Sequence, residues 1–128
     1  MTIKFHNPKS VSLAGKYSLG AEVPEGARLL YVSGQVGVDS RGKIQPTFEK
    51  QVAQAWKNIA QVLKAGGMTF KDIVKVNIFL TDSRYIAPYR EIRDRFIKAP
   101  PYPASTLLIV QGLADPAMLL EVEVVAAK

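Results

Sequence analysis

The residues able to do chemistry in this chain are few, and their types exclude several reaction classes. Histidine occurs once, at His6, and cysteine not at all. Without a thiol there is no nucleophilic cysteine, no disulfide framework and no cysteine-based zinc site. A single imidazole with neither cysteine nor clustered carboxylates beside it makes no metal centre, and His6 falls in a segment that reads as a loose arm before the first strand. No Ser-His-Asp set can be assembled around it. Gly34-Gln35-Val36-Gly37 lacks the strand-glycine-helix context that gives a phosphate-binding glycine run its meaning. What remains is a surplus of cations: Lys and Arg number 17 against 11 Asp and Glu, a formal charge of +6. Such a balance suits an anionic partner, but the basic residues are spread from Lys4 to Lys128. The densest group, Arg84, Arg90, Arg93, Arg95 and Lys98, is interrupted by Glu91 and Asp94 and reads as a solvated helix face, which disfavours nucleic acid.

The elements that must position any site follow from hydrophobic periodicity. Tyr17, Leu19, Ala21 and Val23 alternate with Ser18, Gly20 and Glu22 as in a half-buried strand. Pro24-Glu25-Gly26 turns the chain into a β-forming run from Arg28 to Val32, predicted to pair with the first strand as a hairpin. Gly34 then predicts a bulge or a close backbone approach, and Asp39-Ser40-Arg41-Gly42 a turn. From Phe48 the period changes: Phe48, Val52, Ala55, Ile59 and Leu63 form a helical stripe, with Thr47 as N-cap and Gly66-Gly67 as terminator. Val74 to Leu80 alternates again. Ile86, Tyr89, Ile92 or Arg93, and Phe96 have helical spacing, and Pro88 fits only in the first turn, so this helix starts near Tyr85 and ends by Ala99. The prolines of Pro100-Pro101-Tyr102-Pro103 make an extended connector. Strands at Ala104–Val110 and Leu119–Val125 complete the order β-β-α-β-α-β-β.

That order predicts one α+β domain over residues 1–128, with two helices packed on one face of a mixed sheet. Two helices cover only one face, yet the opposite face is expected to carry Leu29, Tyr31, Phe79, Leu107 and Ile109, more apolar surface than a monomer leaves in water. A second copy of the chain under closed symmetry is the simplest cover. The first eight residues lack the apolar stretch of a signal peptide, and no run approaches a membrane span, so a cytoplasmic protein without membrane partners is expected.

Several segments, in order, resemble the YjgF/RidA family of reactive-intermediate deaminases, also known as endoribonuclease L-PSP. They are Tyr17-Ser18, Leu30-Tyr31-Val32-Ser33-Gly34-Gln35-Val36, Ala65-Gly66-Gly67, Asp72-Ile73-Val74-Lys75, Phe79-Leu80-Thr81-Asp82, Tyr102-Pro103-Ala104 and Glu121-Val122-Glu123-Val124. The resemblance implies a chorismate-mutase-like two-layer fold in a homotrimer, sheets inward, with a small-molecule metabolite bound in clefts between subunits. It implies hydrolysis of enamine and imine C–N bonds, as in 2-aminoacrylate, with no metal or organic cofactor.

The same resemblance marks site residues and one departure. Tyr17, Ser33, Gly34 and Glu121 match the family pattern. The arginine that follows Pro-Ala and grips the substrate carboxylate is Ser105 here, and aligning on Ile86-Ala87 puts Arg90 where the deaminase pattern has an asparagine. A serine hydroxyl offers one neutral donor and cannot replace a bidentate, charge-assisted pair, so turnover of 2-aminoacrylate is expected to be weak. Glu121, on a sheet face turned toward a neighbour, suits holding or relaying a proton from water, or else pairs with a basic side chain across the interface. Ser33-Gly34 offers a hydroxyl and an N–H to an oxyanion, or is a plain bulge. Tyr17 is a site residue or a packed strand aromatic, and Ser105 a donor or a space-filler. Arg90 reaches the cleft or stays solvated. RNA binding or cleavage, and a non-enzymatic sensor or chaperone-like trimer, are the alternatives to a deaminase-like hydrolase.

Overall fold

Packing of a single long helix on a twisted sheet organises the molecule, described for residues 2–128 in a computed structural model. The order is β1 (Lys4–His6), β2 (Gly20–Glu22), β3 (Leu29–Gln35), α1 (Phe48–Ala65), β4 (Ile73–Leu80), α2 (Ile86–Arg93), β5 (Ala104–Ile109) and β6 (Leu120–Ala127). A four-stranded sheet runs β3-β6-β4-β5, antiparallel except for β4 with β5, which are parallel because α2 carries the chain back between them. Both helices lie on one face, as the α+β reading requires.

The strands at the start of the chain pair differently from the expected hairpin. β2 joins β1 in a separate two-stranded ribbon, whereas β3 pairs with the C-terminal strand β6. The reason is burial: Val32 beside Val124 lies over the core, a better place for a β-forming run than a short ribbon offers. His6 is correspondingly not in a loose arm. It pairs with Gly20 in β1–β2, and its Nε2 lies 3.1 Å from Glu22 Oε1 at the surface.

Helix α1 forms where the periodicity placed it. Thr47 Oγ1 accepts from Lys50 N–H at 3.2 Å, a cap of about 1 kcal/mol, and Gly67 takes the left-handed φ of 70° that ends the helix. Val52, Ala55, Trp56, Ile59 and Leu63 are fully buried against Val76, Ile78 and Leu80 of β4 and Leu120, Val122 and Val124 of β6. Each large aliphatic side chain so buried contributes about 1.5–3 kcal/mol. An edge-to-face and stacked trio of Trp56, Phe70 and Phe96 ties α1 to the segment after α2.

The other face of the sheet is open. Leu29, Tyr31, Phe79, Val125 and Leu108 lie there, with Tyr31 71% and Leu108 50% exposed. Leu107 does not join them, contrary to expectation. It stands beside Ile78 and so faces the helices with Ile109, since partners in a parallel register share a face. The expected apolar surface is present with Leu108 in its place.

One buried polar side chain fixes the loops. Gln51 of α1 donates through Nε2 to Gln45 O (3.0 Å) and Ala117 O (2.9 Å), and its Oε1 accepts from Leu119 N–H at 2.9 Å. Gln51→Leu therefore strands two carbonyls and one N–H, and should lower stability by about 2–4 kcal/mol in urea unfolding. A loss below about 0.5 kcal/mol would show that the loops do not depend on it.

Candidate functional site

Two groups of side chains take shape on opposite faces of the sheet. The first surrounds a cavity of about 410 Å³ at the outer edge of β5, within the range of small-molecule sites. Its position follows from the edge strand: Ser18 bridges to Ala104, with Ser18 N–H donating to Pro103 O at 3.0 Å and Ser18 Oγ to Tyr102 O at 2.5 Å. That lays Tyr17 along the β5 edge, while α2 crosses above. Tyr17, Ser105 and Arg90 all line the cavity, with Ile78, Leu107 and Tyr89 as its apolar walls. Ser105 stands beside Val76 on the helix-facing side of the sheet and is half-buried. It borders the cavity, so it leaves open the space that a longer side chain would fill.

Three charged residues of this cavity were not marked from the sequence: Lys16, Arg93 and Asp94. Arg93 is the main correction to the reading of the basic cluster as a solvated helix face. Arg84, Arg90, Arg95 and Lys98 are exposed, but only 14% of the Arg93 side chain is. Its Nε and Nη2 donate to Asp94 Oδ1 at 3.2 and 3.0 Å, and its guanidinium carbon lies 6.0 Å from the centre of the Tyr89 ring. The available signal was spacing, because Arg93 falls in the helical stripe with Tyr89 and Phe96. Lys16 Nζ donates to Asp94 Oδ2 at 3.0 Å, tying the loop before Tyr17 to the end of α2. The Tyr89 hydroxyl is buried with no hydrogen-bond partner among the described residues, and burial pushes its phenol well above the ordinary value. Tyr89 thus presents a neutral ring.

The second group lies across the sheet. Two residues of β3, Ser33 and Gly34, stand between Val32 and Gln35 where β6 has only Glu123, which is the predicted bulge. The Glu121 side chain lies directly over the Gly34 backbone, where an added Cβ would overlap its carboxylate. Ser33 is exposed on the same strand. Glu123 accepts from Asn77 Nδ2 at 3.1 Å, whereas no donor among the described residues reaches the half-buried carboxylate of Glu121. Glu121 is paired with Phe79 on the open face, so it points away from the layer that holds Ser105. One chain therefore joins Tyr17, Arg90 and Ser105 in one place, and Ser33, Gly34 and Glu121 in another. No group of three or more His, Asp or Glu side chains among the described residues could hold a metal ion, and no helix is long and apolar enough to cross a membrane.

Asp94 sits at the C-terminal end of α2, where the helix dipole disfavours an anion. Burial also raises its pKa, but the bonds from Lys16 and Arg93 outweigh that and hold the carboxyl below the usual range. A depressed carboxyl stabilises the fold above its unfolded value of about 3.9, and that contribution is lost as pH falls through the lower folded value. Asp94→Asn should accordingly melt below wild type at neutral pH, with the gap closing as the pH drops below about 4. A gap that persists unchanged into acid would mean that the charge of Asp94 contributes nothing.

Comparison with known proteins places this geometry. The family described as Endoribonuclease L-PSP matches residues 8–128. The RutC family protein YjgH of Escherichia coli is 39% identical over 107 residues, 79% of this chain and 82% of that protein. The 2-iminobutanoate/2-iminopropanoate deaminase of Homo sapiens is 32% identical over 120 residues, 92% of this chain and 84% of that protein. Among solved structures, the Rid-family protein YyfB of Yersinia pestis superposes with a TM-score of 0.86 over all of both chains, at 26% identity. With the family match over residues 8–128, these identities and the shared fold, the chain belongs to the YjgF/RidA family, the Endoribonuclease L-PSP group.

Proposed function

We propose that this protein is a cytoplasmic, trimeric hydrolase of imine or enamine metabolites, its cleft formed where the β5-edge cavity of one protomer meets the Glu121 face of the next. The observation that carries this reading is the Glu121 carboxylate, free of any donor among the described residues and held over the backbone of Gly34, next in sequence to Ser33. Such a group can take a proton from water as the oxygen attacks the C=N carbon and pass it to nitrogen, giving a carbinolamine. The carbinolamine hydroxyl then yields its proton, relayed to the amine as the C–N bond breaks, so that ammonia leaves and a carbonyl remains. An enamine substrate first gains a proton at carbon and loses one from nitrogen to become the imine. The exposed apolar face of Leu29, Tyr31, Phe79 and Leu108 supports association. The human relative acts as a 2-iminobutanoate/2-iminopropanoate deaminase. Since Ser105 supplies a single neutral donor, 2-aminoacrylate is a poor substrate.

A ribonuclease reading draws on the +6 charge and on the family description. It lacks a histidine near either group of residues, and cleavage of RNA by the pure protein, abolished by salt, would favour it.

Semicarbazide trapping of the imine released from serine by a dehydratase tests the main proposal. Wild type should lower the trapped yield only slowly, and Glu121→Ala should be slower still by about a hundredfold or more. Equal rates for the two would remove Glu121 from the chemistry. Gly34→Ala should remain folded, because the overlapping atoms are the movable end of a side chain, yet lose activity as Glu121 is pushed aside. Full activity in that variant would show that the carboxylate need not sit on the bulge.

A further inference from the structure

The cavity beside Ser105 holds three cations, Lys16, Arg90 and Arg93, against one carboxylate, Asp94. Lys16 and Arg93 share that carboxylate, and Arg90 has no acidic partner among the described residues. The cavity therefore carries a surplus of two positive charges, which a ligand anion would offset. Arg93 is the best-placed receiver. Its Nε–Nη2 edge is spent on Asp94, which fixes the plane of the guanidinium, and Tyr89 packs against it. Nη1 has no partner among the described residues. A held fork of this kind binds a carboxylate with little loss of side-chain freedom. A second, smaller hollow also borders Lys16, Ile78, Arg93 and Ser105, so the space at Ser105 adjoins the charged group.

We infer that Arg93 of α2, steadied by Asp94 and Lys16, is the carboxylate anchor of this cleft, and that the room at Ser105 selects a 2-oxo or 2-imino acid with a branched or aromatic side chain. The inference rests on the metabolite-cleft reading above, but concerns binding rather than turnover. Moving the cation from strand to helix shifts the ligand's charged end toward α2. Its side chain then lies among Ile78, Leu107 and the ring of Tyr89, where apolar contact replaces what a methyl group could not fill. Ser105 sets the size of the ligand, and Arg90, more exposed at the same cavity, adds a screened attraction.

Calorimetric titration of the intact protein with 4-methyl-2-oxopentanoate and with pyruvate tests this. Wild type should bind the branched acid about tenfold or more tightly than pyruvate, and Arg93→Gln should weaken it by about tenfold or more. Arg90→Gln should cost less, and Ser105→Arg should reverse the preference. Equal affinity in Arg93→Gln and wild type, or no preference for the branched acid, would overturn the assignment. Should Arg93→Gln fail to fold, a wild-type crystal soaked with the branched acid gives the answer. A carboxylate within about 3.2 Å of Arg93 is expected, and one seated elsewhere refutes the anchor. Failure of the hydrolase reading is distinguishable: Glu121→Gln would then show Arg93-dependent binding while wild type turns over no imino acid. Turnover of a branched imino acid undiminished by Arg93→Gln would sink the anchor alone.

Discussion

The two-residue period of the strands is the constraint on which the site depends. In β4 and β5, Val76 and Ser105 share the helix-facing side, while Phe79 and Glu121 of β4 and β6 share the other. No rotamer carries a side chain through a sheet, so the carboxylate and the cation-lined cavity cannot meet within one protomer. The apolar residues on the open face supply a reason for protomers to meet. Alternation thus does more than bury a core: it sets the two groups of side chains on opposite faces, and in the proposed trimer association would rejoin them.

Within each half, a local irregularity does the positioning. The bulge at Ser33 and Gly34 breaks the β3–β6 register and leaves a backbone without a side chain under Glu121. At the edge of β5, the Ser18–Ala104 bridge draws Tyr17 and Lys16 against the end of α2. There a carboxylate sits at the unfavourable end of a helix and is held by two cations from separate segments. Asp94 is best understood as the part that orders its neighbours, since an unpaired arginine with so little exposure would carry a large desolvation cost. With Ser105 where the resemblance implies an arginine, the positive charge of the cavity comes from Lys16 and from Arg90 and Arg93 of α2.

Much of the architecture was legible because it rests on short-range regularities. The stripe from Phe48 to Leu63, its Thr47 cap, the alternation of β4, and the bulge at Gly34 are each written in consecutive residues. Tyr17, Ser33, Gly34 and Glu121 drew attention because they lie in family segments, Ser105 because it follows one, and Arg90 through the alignment on Ile86-Ala87. The partner of Leu29–Gln35 was not legible, because strand pairing is a contest among distant segments and the buried place beside Val124 outweighed the short turn to the first strand. The face of Leu107 escaped for a related reason: β5 is apolar at both parities, so its pattern does not choose a side.

Arg93 marks the boundary most sharply. Its type and its helical spacing with Tyr89 are properties of the chain, but whether it is solvated or held depends on Lys16, 77 positions earlier, arriving at Asp94. What the amino-acid order determined by itself was the helices and the strands other than β1, the family and the absence of cysteine chemistry, since these need only local pattern and composition. What the tertiary structure decided was which residues share a face and which charges share a cavity, because electrostatic and packing energies depend on distance in space and not along the chain.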